Sequence, residues 1–112
     1  MAVARLAAGV MRAPELWASG FDLLVTPTMQ QPPPRWDRVQ IDSEANIWGL
    51  FTMPFSITGQ PAISLPLHWT PDGLPVGVQL VGEVGREDLL VRVAARLEEA
   101  MPWLDRFPPV FA

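Results

Sequence analysis

Hydrophobic positions along the chain change their period from segment to segment, and each period predicts an element. Near the N-terminus Val3, Leu6, Val10, Ala13 and Trp17 recur at helical spacing, which predicts a helix over residues 1–20, closed by Gly20. Pro14 falls inside that stretch. An interior proline removes a hydrogen bond and crowds the preceding turn, whereas a proline at a helix start costs little. The pattern therefore predicts either a kink or a second helix beginning at Pro14. Residues 21–28 open with the apolar run Phe21 to Thr26, held between Gly20 and Pro27, and read as a short buried strand. Residues 29–44, with Pro32-Pro33-Pro34 and mixed charges, read as an extended loop, followed by a short helix around Glu44–Leu50.

The second half of the chain carries the stronger patterns. Residues 45–82 form a block in which Ala62 to Trp69 and Val76 to Val81 read as strands. Between them Pro71-Asp72-Gly73 is a turn signal, because proline fixes one turn angle and glycine accepts positive φ. The two strands should pair as an antiparallel hairpin. Pro66 and Pro75 cannot donate to a ladder, so they belong at bulges, strand ends or an edge. Residues 86–101 form the most regular element, with Leu89, Leu90, Val93, Leu97 and Ala100 or Met101 on one apolar helical face. Glu87 and Asp88 complement the helix dipole, and Asp88 stands four residues before Arg92 in the favourable order. Pro102 stops the helix and a proline-rich tail, residues 102–112, follows. The class is α/β: an N-terminal helix, a short strand, an antiparallel hairpin and a C-terminal amphipathic helix.

Composition changes this picture in two ways. The 112 residues suit one domain, yet 49% are apolar and only 18% charged, with five tryptophans and five phenylalanines. Such a chain is expected to bury part of its surface against more protein; a self-sufficient hydrophobic domain is the alternative. The other change is chemical. All eight basic residues are arginines, so there is no lysine, and cysteine and tyrosine are also absent. That excludes thiol nucleophiles, disulfides, cysteine metal sites, Schiff bases and serine–lysine pairs within the chain. A single histidine cannot build a multi-histidine metal centre. A net charge of -4 and a pI near 4.7 argue against a nucleic-acid partner.

No targeting or membrane segment is expected, and the expected location is cytoplasmic. The apolar stretch of residues 1–13 is interrupted by Arg5 and Arg12, without the order of a signal peptide. Residues 45–71 lack charge over a length that would span a bilayer. They are broken by Pro54, Pro61 and Pro66, and Asn46, Ser56, Thr58, Gln60 and Ser64 would need partners in lipid. Burial in protein fits them better.

No catalytic set emerges from spacing. His68 lies between Leu67 and Trp69 on a strand, and no Gly-x-Ser-x-Gly turn accompanies it, so it reads as a strand-surface histidine. Glu87–Asp88 and Glu98–Glu99 point in different directions from a helix, as on a solvated face. Asp42 and Glu44 sit in a loop. Gly77, Gly82 and Gly85 do not have the spacing of a phosphate cradle. No cofactor or metal is expected.

Three stretches, in order, resemble the C-terminal portion of amidase signature family enzymes. They are Asp22-Leu23-Leu24-Val25-Thr26-Pro27-Thr28, then Met53-Pro54-Phe55-Ser56-Ile57-Thr58-Gly59-Gln60-Pro61-Ala62-Ile63-Ser64-Leu65-Pro66, then Gly73-Leu74-Pro75-Val76-Gly77-Val78-Gln79-Leu80-Val81-Gly82. With the terminal helix that follows after a short loop, they cover about residues 20–105. The resemblance implies the C-terminal part of that family's mixed-sheet fold and amide hydrolysis by acyl transfer. In the family a lysine acts through a bridging serine on a serine nucleophile, all in the N-terminal portion. With no lysine here, the resemblance implies a chain that is not catalytic alone and whose partner is the missing N-terminal amidase portion.

What the resemblance assigns to this chain is scaffold and pocket wall. The stretch before the Thr-Gly-x-Pro block lies near the acyl pocket in the family, which points to Trp48, Phe51, Thr52 and Phe55 as substrate-binding. Simple core packing of the same four residues is the competing reading. Thr58, Gly59, Pro61 and Gln79 are assigned structural roles: Gly59 as a close backbone approach, Pro61 as a shaper of the chain, and Gln79 as a polar residue satisfying buried backbone groups. Two departures stand out. Ser56 replaces the family's usual asparagine. Gly49, beside Trp48, stands where members acting on charged transfer-RNA carry an aspartate, which favours an apolar or aromatic amide. The alternative function is a non-catalytic interaction module, with a homo-oligomer formed through the exposed apolar surface, the hairpin and the terminal helix.

Overall fold

The computed structural model of the chain describes residues 12–38 and 49–108. The helical pattern of residues 1–11, most of the short helix expected around residues 44–50, and the last four residues of the tail lie outside the described residues. Within them the elements are helix α1 (Ala13–Ala18), strand β1 (Leu24–Pro27), a single 3-10 turn (Trp36–Arg38), helix α2 (Met53–Thr58), strands β2 (Ala62–Trp69) and β3 (Pro75–Val81), and helix α3 (Glu87–Ala100).

The three strands form one antiparallel sheet in the order β1-β3-β2. The expected hairpin is present, and its turn closes in three ways. The Thr70 N–H donates to the Leu74 carbonyl at 2.9 Å, the Gly73 N–H to the Thr70 carbonyl at 2.9 Å, and the Leu74 N–H to Thr70 Oγ1 at 2.9 Å. Gly73 takes φ +87°, a conformation that a residue with a Cβ rarely adopts. Both prolines sit where a missing N–H is tolerated. Pro75 opens β3, and Pro66 lies on edge strand β2 at a register shift that leaves Leu67 between the Pro66–Gly77 and His68–Val76 pairs. The hairpin is also joined by β1. That strand pairs with the other side of β3 from Leu24 opposite Val81 to Pro27 opposite Val78, so β3 lies in the centre.

One face of this sheet is covered by α3. Leu90 and Ala94 meet Leu65 and Leu80 in a buried cluster, with Leu23, Ile63, Leu67, Val93, Leu97 and Trp103 packed around it. The helical seam is therefore 90, 93, 94 and 97. The sequence reading chose Leu89 and a residue at 100 or 101 for this face. Leu89 is only half-buried, and Ala100 and Met101 are exposed. Adjacent helical residues are about 100° apart, so Leu89 and Leu90 cannot both point squarely at the sheet.

Local chemistry sets the helix ends. Pro14 lies in the first turn of α1, where its missing N–H costs little. At the start of α3 the Asp88 carboxylate takes hydrogen bonds from Arg86 at 3.3 Å and Arg92 at 2.9 Å. Partial desolvation pushes this carboxyl up, but the Arg86 hydrogen bond, the Leu89 N–H and the two arginine charges outweigh it. The group is held below its ordinary value. The resulting stabilisation is complete above the ordinary carboxylate pKa and is lost as pH falls through the lowered one. At an exposed position it is small. Beyond α3 the tail folds back, with the Arg106 guanidinium 4.0 Å from the centre of the Trp69 ring.

The α2 helix was not foreseen. Its six residues are too few for a periodic pattern, but Pro54 in its first turn and Gly59 just past its end mark both boundaries. Gly59 adopts φ +74°, and its N–H and that of Gln60 both donate to the Phe55 carbonyl, at 2.9 and 3.2 Å.

If the cluster under α3 holds the fold, Leu90→Ala should lower the unfolding free energy by about 2–5 kcal/mol, read by urea denaturation. Val91→Ala, on the exposed side of the same helix, should change it by less than about 0.5 kcal/mol.

Candidate functional site

Side chains alternate across a strand, so the neighbours of Leu65 and Leu80 face away from α3. These are Ser64 and Gln79, and the register places Thr26 opposite Gln79 on β1. A polar row therefore crosses the second face of the sheet. Gln79 is buried at 4% exposure, and its amide Nε2 donates to Thr26 Oγ1 at 3.0 Å and to the Phe51 carbonyl at 2.8 Å. One side-chain amide thus ties β1, β3 and the segment before α2 together. A buried amide without such partners would be costly, so the segment position and the glutamine require each other.

A second polar contact lies one step along the row. Thr28 Oγ1 and Ser64 Oγ are 2.6 Å apart, joining the chain just after β1 to β2 across the central strand. They meet over Gly77. A Cβ there would lie 2.7 Å from Thr28 Oγ1 and 2.8 Å from Ser64 Oγ, so the hydroxyl pair needs a glycine beneath it. Among the described residues, no hydrogen bond links either hydroxyl to a histidine, a carboxylate or an arginine. No group of three metal-ligating side chains occurs among the described residues.

The residues assigned to the pocket wall separate into three groups. Trp48 lies outside the described residues. Phe51 and Thr52 are half-buried in the turn ahead of α2. Phe55 is buried at 5% exposure next to Pro54, which is fully enclosed. Its ring therefore packs within this chain. Of the structural residues, Thr58 Oγ1 donates to the Pro54 carbonyl at 3.1 Å and accepts from Gln60 Nε2 at 3.1 Å. The Pro61 carbonyl accepts the Gly82 N–H at 3.0 Å, tying the two ends of the hairpin together. Gly59 serves a left-handed helix end, and among the described residues a Cβ on it would meet nothing within 4 Å; a close approach at a glycine does occur at Gly77. Sequence reasoning also missed the Thr28–Ser64 pair. The two residues are 36 apart in the chain, and only the strand register brings them together.

Comparison with known proteins places this architecture. The amidase family model matches residues 2–91, and the chain belongs to that family. It is 42% identical over 105 residues to the 6-aminohexanoate-cyclic-dimer hydrolase of Paenarthrobacter ureafaciens, covering 82% of this chain and 21% of the relative. It is 35% identical over 96 residues to an acylamidase of Rhodococcus erythropolis, covering 79% of this chain and 20% of the relative. A solved 6-aminohexanoate cyclic dimer hydrolase superposes with TM-score 0.78 at 38% identity, over 93% of this chain and 24% of that one. A glutamyl-tRNA(Gln) amidotransferase component from Thermotoga maritima superposes with TM-score 0.75 at 27% identity, over 88% and 22%. The chain thus spans about a fifth of the length of the curated relatives it matches.

Two substitutions probe the polar row. Gln79→Leu should destabilise by about 1–3 kcal/mol, because the Phe51 carbonyl loses its donor. Gly77→Ala should cost about 1–3 kcal/mol, and Ser64→Ala in that background should recover part of it by removing one crowding oxygen. Thermal and urea unfolding of the single and double variants check both.

Proposed function

We propose that this chain is the C-terminal part of an amidase-type hydrolase and supplies scaffold and pocket wall to a catalytic portion carrying serine, bridging serine and lysine. The observation that carries the reading is a mismatch. A chain with an amidase architecture spans about a fifth of its relatives and contains no lysine. In the proposed reaction the lysine, through the bridging serine, takes the proton of the nucleophilic serine as its oxygen bonds to the amide carbon. Backbone N–H groups hold the oxyanion, the C–N bond breaks as the amine leaves with a proton, and water releases the acid. The lysine cannot come from this chain, which has none, and in this reading the two serines also lie in the catalytic portion.

The contribution of this chain is positional. Gln79 fixes the backbone at Phe51, and buried Phe55 backs the same segment. In this reading Trp48, Phe51 and Thr52 face the acyl group, and Phe55 supports them from behind. Gly49 beside Trp48 offers no charge for a substrate's ammonium group, which favours an uncharged, apolar or aromatic amide. The cytoplasm is the proposed location.

The test is co-expression of the chain with the remaining portion of the Paenarthrobacter hydrolase, followed by assay against a panel of simple amides. The expected result is a complex that hydrolyses amides, while the chain alone is inert. Hydrolysis by the chain alone would overturn the reading. In the active complex Trp48→Ala should change the ratio of kcat/KM values for aromatic and aliphatic amides by about tenfold; an unchanged ratio would remove Trp48 from the pocket.

A further inference from the structure

The turn ahead of α2 closes on itself, since the Thr52 and Met53 N–H groups both donate to the Gly49 carbonyl, at 3.2 and 2.8 Å. It is hydrogen-bonded to the sheet through the Phe51 carbonyl, which accepts from Gln79 Nε2 at 2.8 Å. Resting on the reading of this turn as amidase pocket wall, we propose that Thr26 is a positioning residue. Acting through Gln79, it sets where Phe51 and Thr52 stand, and so which acyl groups the pocket accepts.

The direction of the hydrogen bonds is the first argument. Thr26 Oγ1 donates to the Pro27 carbonyl at 3.0 Å, so its proton is committed and its oxygen meets Gln79 as an acceptor. Gln79 Nε2 divides its two protons between that oxygen, at 3.0 Å, and the Phe51 carbonyl. Both partners take a proton and neither offers one, so the amide has one workable orientation; turned over, its own oxygen would face the Phe51 carbonyl. Without the Thr26 oxygen, one N–H would be left unmet on a side chain with 4% exposure. The amide would then turn to satisfy it at the expense of the Phe51 bond.

The second argument is that, among the described residues, no other hydrogen bond ties this turn to the sheet. Buried Pro54 and Phe55 pack behind it, but apolar packing is not directional and does not fix where the turn points. Because the turn is closed internally, a shift at Phe51 carries Thr52 with it. Thr26 lies opposite Gln79 on the neighbouring strand, so it acts on the pocket through the glutamine and not by touching substrate.

The test uses the complex of this chain with the remaining portion of the Paenarthrobacter hydrolase and measures kcat and KM on aromatic and aliphatic amides. Thr26→Val keeps the shape of the side chain and loses the acceptor. It should shift the ratio of kcat/KM values for the two amide classes by about threefold to tenfold, chiefly through KM. Thr26→Ser, which restores the oxygen, should keep the parent ratio. Leu90→Ala, a destabilising change on the other face of the sheet, should keep it too, which separates position from stability. If the complex is active and Thr26→Val leaves the ratio unchanged, or if Thr26→Ser or Leu90→Ala moves it as far, the inference falls while the amidase reading stands. If Thr26→Val and Thr26→Ala both fail to fold, the hydroxyl serves the fold and not the pocket, and the inference is overturned. A complex that hydrolyses no amide overturns the amidase reading itself, and the inference with it.

Discussion

The segment ahead of α2 is held to the second face of the sheet by one side-chain amide. Gln79 sits in the central strand, where an unpaired polar group would be expensive, and it is spared that cost only because Thr26 and the Phe51 backbone present acceptors to it. The requirement runs both ways. Leucine at this position would fit the apolar strand, but it would leave the turn ahead of α2 without its anchor. A buried hydrogen bond adds less net stability than apolar packing, but it is far more directional. It sets where the chain before α2 lies, and so where the proposed pocket wall stands.

The two faces of the sheet divide the work. The α3 face is ordinary hydrophobic packing, with four buried side chains and a ring of partly buried ones. The other face carries the hydroxyl pair over Gly77, the Gln79 bridge and the α2 segment. Packing of the first kind tolerates change as long as volume is kept. The second kind depends on individual atoms, since a single added methyl at residue 77 would fall within 3 Å of two oxygens.

The parts legible in the sequence were those governed by neighbours along the chain. The hairpin turn, the placement of Pro66 and Pro75, the end of α1 at Gly20 and the salt link from Arg92 to Asp88 all follow from residues a few positions apart. The α2 helix left only its end markers, because one and a half turns cannot display a period. The seam of α3 is legible at Leu90, Val93 and Leu97, but not in the choice between Leu89 and Ala94 for its flank: consecutive leucines give the period no way to choose between them until the sheet decides. The two glycines differ in how legible they are. Gly59 advertises itself by its motif, whereas Gly77 matters through Thr28 and Ser64, which are distant in sequence. The proposed substrate wall was read from resemblance alone, and its most informative member, Trp48, lies outside the described residues.

The two edge strands carry one more consequence. A hydrophobic chain with an open strand on each side of a small sheet could recruit copies of itself edge to edge, as fibrils do. Pro27 in β1 and Pro66 in β2 each delete a backbone donor from an edge strand, and the extra residue at Leu67 bends the second edge out of line. A templating strand would find an interrupted ladder on either side. The same prolines that shape the hairpin therefore guard a freshly synthesised chain against self-templating while its apolar surface is still uncovered.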